Sequence, residues 1–273
     1  MSATLSLVAF LKASGVPVDE TELKVHLACW NGKEDPIDHF YADTFKQWQE
    51  YQTKRNFECA QVLSLIDVAK DEWLFVGVYE VTRRAMPNPM NKDHFLYGTK
   101  LLPGQEHLIG RIKVHHARTR ASYVWHKPPV TLPIVEILRQ RQVMQDFPGY
   151  NKVRITHSQL RTIHRQQIAS WKSALANIKG VYLITDLSSG HLYVGKASGS
   201  EGIWSRWGAY ADNGHGGNVE LKALLKSKGA THMTHFQYSV LEIADTHATE
   251  DDILARESHW VSILHSREHG LNG

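Results

Sequence analysis

The 273-residue sequence predicts an α+β protein with two domains. Its length suits one large or two ordinary domains, at about 150 residues each. Hydrophobic residues make up 42% of the chain and aromatic residues 10%, which favours packed cores over disorder. Strand-like and helix-like segments alternate, and their rhythm changes near residue 170. We therefore expect an N-terminal domain over residues 1–165 and a C-terminal domain over residues 171–273.

Two patterns define the N-terminal domain. Residues 1–55 are predicted to be helical, because apolar residues recur through residues 3–30 and again through residues 40–51. Residues 56–150 are predicted to be rich in strands, because apolar runs are separated by Gly, Pro, Asn and Asp. These runs cover residues 62–66, 73–81 and 108–114. The pattern favours a small β-barrel or a curled sheet, and a helix from Ser158 is predicted to connect the two domains.

The C-terminal domain is predicted to be a small mixed or antiparallel sheet covered by helices. Residues 180–185 and 191–195 form a predicted hairpin, and alternating residues over 234–243 predict a third strand. Helices are predicted over residues 202–211, 218–229 and 249–264. Asn218 is a good N-cap, and Thr249–Asp252 matches a capping box.

Charge is unevenly distributed, although the net charge is only +3. Residues 1–170 contain 22 Lys and Arg against 17 Asp and Glu, whereas residues 171–273 contain 9 against 11. A basic first part can release counterions from nucleic-acid phosphates, and an ordinary solvated surface explains the numbers equally well. No apolar run reaches the roughly 18 residues of a membrane span, and no positive charge precedes the apolar N-terminal stretch as in a secretory signal. We expect a cytoplasmic protein without a membrane partner.

Two tyrosines lie on the predicted hairpin, in the tripeptides Gly180–Tyr182 and Tyr193–Gly195. If Tyr182 opposes Tyr193, residues 186–189 form the loop and both phenols emerge on one face of the sheet. Two ordinary strand tyrosines would give the same pattern, since tyrosine is frequent in strands. The pair therefore indicates a site only together with the residues that follow.

Arg206 lies three residues after Ile203 and four before Tyr210, which places all three on one side of a helix. An arginine beside that apolar stripe can hold a phosphate with its planar guanidinium. The alternative is a surface arginine whose aliphatic stem packs on the core.

Glu257 lies on the inward stripe of the last predicted helix, four residues after Ile253 and three before Trp260. A carboxylate that faces inward needs a charged partner or a metal ion. One interpretation is a buried salt bridge, for example to Arg206. The other is ligation of one hard divalent cation, and Mg²⁺ needs only one or two protein carboxylates.

This combination of residues resembles the GIY-YIG nuclease family. The family has two tripeptides about ten residues apart, an arginine followed four residues later by tyrosine or histidine, a later glutamate and a closing asparagine. The matching residues here are Tyr182, Tyr193, Arg206, Tyr210, Glu257 and Asn272. The resemblance covers about 95 C-terminal residues and does not reach the N-terminal domain.

The resemblance implies a metal-dependent DNA endonuclease that hydrolyses phosphodiester bonds. One Mg²⁺ or Mn²⁺ ion on Glu257 would polarise the scissile phosphate, and Arg206 would stabilise charge on its oxygens. Tyr182 is the candidate for activating water, with positive charge from Lys196, Arg206 or the metal favouring its phenolate, and Lys196 could share that role. The remaining residues would orient water and phosphate or fix the substrate or the glutamate helix: Tyr193, Tyr210 and Asn272. A duplex break would require a homodimer or two successive nicks.

The N-terminal domain is predicted to position DNA for a restriction-like or defence-like enzyme. Cations interleaved with other residues and followed by aromatics suit nucleic-acid contact. They are Arg111, Lys113, Arg118, Arg120, Lys152 and Arg154. The alternative is a strand edge kept cationic against aggregation. Two other functions are compatible with the sequence: a structure-specific repair or recombination nuclease, and a non-catalytic DNA-binding protein on a nuclease scaffold.

Overall fold

The computed structural model describes residues 5–32, 34–89, 91–117, 121–126 and 129–273. The chain divides into two compact units, Met1–Val143 and Met144–Gly273. Both units combine helices with a sheet, which confirms the predicted α+β class. None of the described helices is long and apolar enough to cross a membrane.

The first unit is built on one mixed sheet. Its described helices are α1 (Leu7–Ala13), α2 (Pro36–Tyr41) and α3 (Phe45–Glu50). Its described strands are β1 (Leu23–Ala28), β2 (Tyr51–Gln52), β3 (Gln61–Ala69), β4 (Glu72–Asn88), β5 (Asn91–Leu101), β6 (Ile112–His115), β7 (Tyr123–Trp125) and β8 (Ile134–Ile137). The order is β2-β5-β4-β3-β1-β7, and β6 pairs with β4 and β8. No pairing between these described strands closes the sheet, so it is open and not a barrel.

Strand β1 corrects the predicted helix over residues 3–30. Among the described residues of this range, only α1 is α-helical, whereas Leu23, Val25 and Leu27 alternate along a strand. β1 runs parallel to β3 on one edge and antiparallel to β7 on the other. Pairing on both edges outweighs local helix propensity, which is a weak determinant of structure. The predicted runs at residues 62–66 and 73–81 do form strands, within β3 and β4.

The second unit contains an antiparallel sheet covered by helices, as predicted. Its strands are β9 (Arg154–Thr156), β10 (Lys179–Asp186), β11 (Leu192–Ala197) and β12 (Phe236–Ala244), in the order β11-β10-β12-β9. Its α-helices are α4 (His157–Arg165), α5 (Ala169–Ala176), α6 (Gly202–Asn213), α7 (Val219–Lys228) and α8 (Glu250–Ile263). Asn218 caps α7, and Thr249 forms a capping box with Asp252 at the start of α8.

Residues 144–165 belong to this second unit, so it begins before the predicted boundary after residue 165. Strand β9, which the sequence pattern did not reveal, pairs with β12. Helix α4 packs on α6, where the rings of His164 and Trp204 stack with centroids 3.8 Å apart. The helix predicted to connect two domains is therefore part of the second core.

Helices α6 and α8 cover opposite faces of the second sheet. Val181 and Val194 pack against Val261 of α8. The neighbouring Tyr182 instead contacts Trp207 and Tyr210 of α6. Successive strand residues point to opposite faces, so the two helices enclose the β10–β11 hairpin from both sides.

The hairpin register differs from the predicted one by two residues. Tyr182 pairs with Gly195 and Tyr193 with Ile184, so the two tyrosines are not directly opposed. The Asp186 carboxylate accepts hydrogen bonds from the Ser188 backbone and side chain, which organises a longer turn than expected. Side chains alternate with a period of two, so a two-residue shift leaves both phenols on one face.

Candidate functional site

Tyr182 is the centre of a buried cluster on the face covered by α6. Its side chain is 0% exposed, and its hydroxyl lies 2.9 Å from that of Tyr210. The same hydroxyl accepts a hydrogen bond from Arg206 Nε at 3.1 Å. Gly195, opposite Tyr182, leaves the space for this phenol, because a Cβ there would lie 2.5 Å from the hydroxyl oxygen. The tripeptide glycine therefore has a steric role.

Arg206 is held in a fixed orientation by two hydrogen bonds. Besides its contact with Tyr182, its Nη1 donates to the Gly216 carbonyl at 2.7 Å, and its guanidinium carbon lies 5.0 Å from the Tyr210 ring centroid. A guanidinium has five N–H donors, so these two contacts leave three that donate to no residue in the described part of the chain. A cation with several free donors in a fixed plane is suited to a phosphate.

The loop over residues 212–218 contributes Gly216, which the sequence pattern did not indicate as part of the site. Gly216 has φ +51°, and a Cβ there would lie 2.7 Å from the Tyr210 ring. Asn213 Oδ1 accepts a hydrogen bond from the Gly216 backbone N–H at 2.7 Å, which fixes the loop. The loop therefore both connects two helices and anchors Arg206. The one signal in the sequence was its consecutive glycines.

Other aromatic residues complete the cluster. Tyr193 is 6% exposed, and its ring packs against Tyr210 with centroids 6.5 Å apart. Its hydroxyl donates to and accepts from no residue that the structure describes. Tyr238 of β12, which the sequence did not indicate as part of the site, is fully buried, and its ring packs against Trp207. The hydroxyl oxygen of Tyr238 lies 3.2 Å from His157 Nδ1.

The environment keeps Tyr182 protonated. Burial raises the pKa of its phenol well above the ordinary value, and Tyr193 raises it further. The charge of Arg206 and the hydrogen bond with Tyr210 lower this pKa, but by less. The expected phenolate is therefore not favoured, because the desolvation of a fully buried hydroxyl outweighs one nearby positive charge. Tyr182 is a neutral hydrogen-bonding group that orients Arg206.

Glu257 lies on α8 with a half-buried side chain. Burial raises the pKa of its carboxyl, while the charges of Lys196 and Arg206 and the Lys196 backbone N–H lower it. It forms no ion pair with any described residue, so the proposed salt bridge to Arg206 is not made. Lys196 instead contacts Glu250, with 3.1 Å between Nζ and Oε1.

The donor chemistry at Glu257 fits a hard divalent cation. A carboxylate without an ion-pair partner offers the oxygen ligands that Mg²⁺ prefers, and Mg²⁺ keeps several waters when it binds. The described residues contain no group of three or more His, Cys, Asp or Glu side chains that could hold a metal. An ion at this site would therefore depend on Glu257, together with solvent and substrate oxygens.

Asn272 ties the C-terminal residues to the outer edge of β11. Its Oδ1 accepts from the Val194 N–H at 2.8 Å, and its Nδ2 donates to the Val194 carbonyl at 2.7 Å. The amide thus pairs with β11 as another strand would, directly beside Tyr193. In this structure Asn272 fixes the strand, and neither of these side-chain bonds reaches the glutamate helix.

The cations predicted to contact DNA do not form one available set. Arg111 donates to the backbone carbonyls of Leu138 and His107 at 3.0 Å each. Lys113 is paired with Glu136 at 2.7 Å. Two of the predicted residues lie outside the described residues: Arg118 and Arg120. Two others are exposed but belong to the second unit: Lys152 and Arg154.

Two solved structures are similar to part of this chain. A mutant of the catalytic domain of the intron endonuclease I-TevI is 27% identical over 35% of this chain and 92% of that domain, with a TM-score of 0.28. The catalytic domain of the homing endonuclease I-TevI is 28% identical over 34% of this chain and 96% of that domain, with a TM-score of 0.27. No family model and no curated protein matches the chain.

Proposed function

We propose that the second unit is the catalytic part of a metal-dependent DNA endonuclease of the GIY-YIG type. The observation that carries this proposal is the fixed orientation of Arg206, held by Tyr182 and by the Gly216 carbonyl with three N–H donors left over. Three donors left in a fixed plane suit the oxygens of a phosphate. Burial raises the pKa of the Glu257 carboxyl, and the charges of Lys196 and Arg206 lower it.

The proposed chemistry is hydrolysis of a phosphodiester. Arg206 would bind the non-bridging oxygens and stabilise the charge that develops on them in the transition state. Glu257 would hold one Mg²⁺ or Mn²⁺, which when bound supplies Lewis-acid polarisation of the phosphate. Tyr193 is better placed than Tyr182 to contact the attacking water, because its hydroxyl has no partner among the described residues. Tyr182 and Tyr210 would keep Arg206 in its plane.

The first unit would supply DNA targeting, in a restriction-like or defence-like enzyme. Support comes from its formation of a separate compact unit. Residues 1–143 contain 18 Lys and Arg against 16 Asp and Glu, a small excess that favours association with phosphates through counterion release. The substrate of the whole chain would be duplex DNA.

The test is incubation of the full chain with supercoiled plasmid and with modified and unmodified genomic DNA, with Mg²⁺ or Mn²⁺, followed by end sequencing. We expect metal-dependent cleavage that is lost in Glu257→Gln and kept in Glu268→Gln, an exposed glutamate. No cleavage of any DNA form with either metal would overturn the proposal in favour of a DNA-binding protein. Cleavage confined to branched DNA would favour a repair nuclease.

A further inference from the structure

The outer half of the β4–β5 hairpin extends beyond the first sheet as a two-stranded ribbon. Strand β3 pairs with β4 only as far as Glu80, so residues 82–88 of β4 pair with β5 alone. The ribbon, defined as residues 82–89 and 91–95, is largely exposed, and Met86 on it is 51% exposed. One edge of β4 is therefore open to solvent over this stretch.

The charged residues of the ribbon are mostly positive. Three are basic, Arg83, Arg84 and Lys92, and one is acidic, Asp93. Arg83 and Lys92 form no ion pair with any residue that the structure describes. Arg84 lies 3.6 Å from Glu58 and remains 71% exposed. Arg55 joins this surface, because its guanidinium carbon lies 5.4 Å from the Phe95 ring centroid of β5.

Protection of an open edge explains only part of this pattern. Exposed edge strands often carry cations, prolines and bulges that prevent pairing with other chains, and β4 has Arg83, Pro87 and several register shifts. Arg55, however, lies in the loop after β2 and not on β4, so it does not protect the open edge of β4. Its position over Phe95 extends the positive charge beyond that edge.

We propose that the ribbon is the surface by which the first unit binds duplex DNA, with its two strands in the major groove. This inference rests on the proposed function and names its DNA-contacting surface. Duplex DNA carries one negative charge per roughly 1.7 Å of helix axis. Its major groove, about 12 Å wide, admits a two-stranded β-ribbon. Arg84 on β4 and Lys92 on β5 place cations on both strands, where they can reach the phosphates that border the groove.

The experiment measures DNA binding by the full chain carrying Glu257→Gln, using fluorescence anisotropy and a duplex of about three helical turns. The ribbon variant combines Arg83→Gln, Arg84→Gln and Lys92→Gln. A control of equal charge change combines Lys70→Gln, Arg139→Gln and Lys228→Gln, all exposed residues outside the ribbon. We expect the ribbon variant to weaken binding at least about tenfold and to reduce the salt slope by about 0.9 for each phosphate that it no longer neutralises. Equal weakening in both variants would overturn the inference.

A matched RNA duplex tests entry into the groove. It carries similar phosphate charge, but its major groove is too deep and narrow for side chains to read. We expect the ribbon substitutions to weaken DNA binding much more than RNA binding, and equal effects on both would overturn the major-groove placement. Cleavage by the wild-type chain is scored separately. Metal-dependent cleavage with no ribbon effect defeats only this inference, whereas ribbon-dependent binding without cleavage defeats only the proposed nuclease activity.

Discussion

The Nε of Arg206 donates a hydrogen bond to the hydroxyl of Tyr182 at 3.1 Å. This contact joins helix α6 to strand β10, and it makes the buried phenol of Tyr182 a hydrogen-bond acceptor for the guanidinium. The phenol cannot easily lose its proton, since burial raises its pKa. It acts as a neutral acceptor that sets the plane of the guanidinium, and the Gly216 carbonyl fixes the other side. The guanidinium is therefore held from two sides by groups that carry no charge.

Replacement of Arg206 by lysine should remove most of the cleavage activity. A lysine keeps the charge but cannot contact Tyr182, Gly216 and a phosphate together, because it lacks the planar set of donors. We expect the cleavage rate to fall about 10²- to 10³-fold, the usual effect of losing one oxyanion-stabilising donor. Single-turnover cleavage kinetics measure this. Arg267→Lys, an exposed position on the same unit, should cleave at the wild-type rate.

Alanine at Gly216 should disrupt the site more than alanine at the adjacent Gly217. Both glycines have positive φ, +51° and +84°, so both substitutions impose backbone strain of about 1–3 kcal/mol. Only at Gly216 would the new Cβ approach the Tyr210 ring, at 2.7 Å, whereas at Gly217 nothing lies within 4 Å. We expect Gly216→Ala to displace the carbonyl that anchors Arg206 and to lower the cleavage rate. Similar rates in the two folded variants, checked by circular dichroism, would contradict this.

The residues of the site that the sequence predicts are those fixed by local periodicity. Arg206 and Tyr210 share a helix side because they are four residues apart. The two hairpin tyrosines still share a face because the register error is two residues, an even number. The inward position of Glu257 follows in the same way from its spacing to Ile253. Each of these placements needs only the repeat of one element. The sequence therefore predicted these positions without the tertiary fold.

Contacts between distant segments could not be predicted in this way. The Gly216 carbonyl reaches Arg206 only because of the path of one loop. Glycine has no side chain from which this backbone contact could be predicted. Asn272 contacts Val194 across 78 residues of sequence. Strand β1 was mistaken for helix because its two pairing partners lie far along the chain. Long-range pairing decides such elements, and single-sequence patterns do not contain it.

The pH dependence of cleavage should have an acid limb that belongs to Glu257 and not to Tyr182. Metal ligation requires an ionised carboxylate, so cleavage should rise as pH rises through the raised pKa of Glu257 and then level off. Tyr182 stays protonated throughout neutral pH because its pKa is raised further above an already basic value. Tyr182→Phe should therefore slow cleavage at every pH between about 5 and 9 and leave the limb in place. A limb that moved or vanished in this variant would show that Tyr182 titrates.

The turn of the hairpin should show acid-sensitive stability through Asp186. This carboxylate is 1% exposed and lies 2.9 Å from His232 Nε2. Although burial opposes its charge, hydrogen bonds from His232, Ser188 and Ser189 lower its pKa to about 2. A lowered pKa stabilises the fold fully above the ordinary pKa of 3.8, and this stabilisation is lost as pH falls toward about 2.

Asp186→Asn tests this contribution by denaturant unfolding at several pH values. We expect a loss of about 1–3 kcal/mol at neutral pH, the range for removing hydrogen bonds to a buried charged group. The difference from wild type should shrink as pH falls from the ordinary pKa of 3.8 toward about 2, because the unfolded chain takes up a proton in this range before the folded carboxylate does. The exposed Asp212→Asn should have little effect at any pH. A constant difference across the pH range would contradict the linkage.

Glu257→Gln should abolish cleavage and slightly stabilise the metal-free protein. A carboxyl with a raised pKa costs stability in its ionised form, so the cost is present above the raised pKa and absent below the ordinary value of 4.5. The neutral amide removes this cost, and at neutral pH we expect an unfolding temperature higher by up to about 2 °C.

Added Mg²⁺ should raise the unfolding temperature of the wild type, because the ion binds the folded state, and should leave the unfolding temperature of Glu257→Gln unchanged. Thermal scans with and without Mg²⁺ separate the two effects, and Glu268→Gln should behave as wild type in both. Stabilisation of the Glu257→Gln variant by Mg²⁺ to the same extent as wild type would show that the ion binds elsewhere.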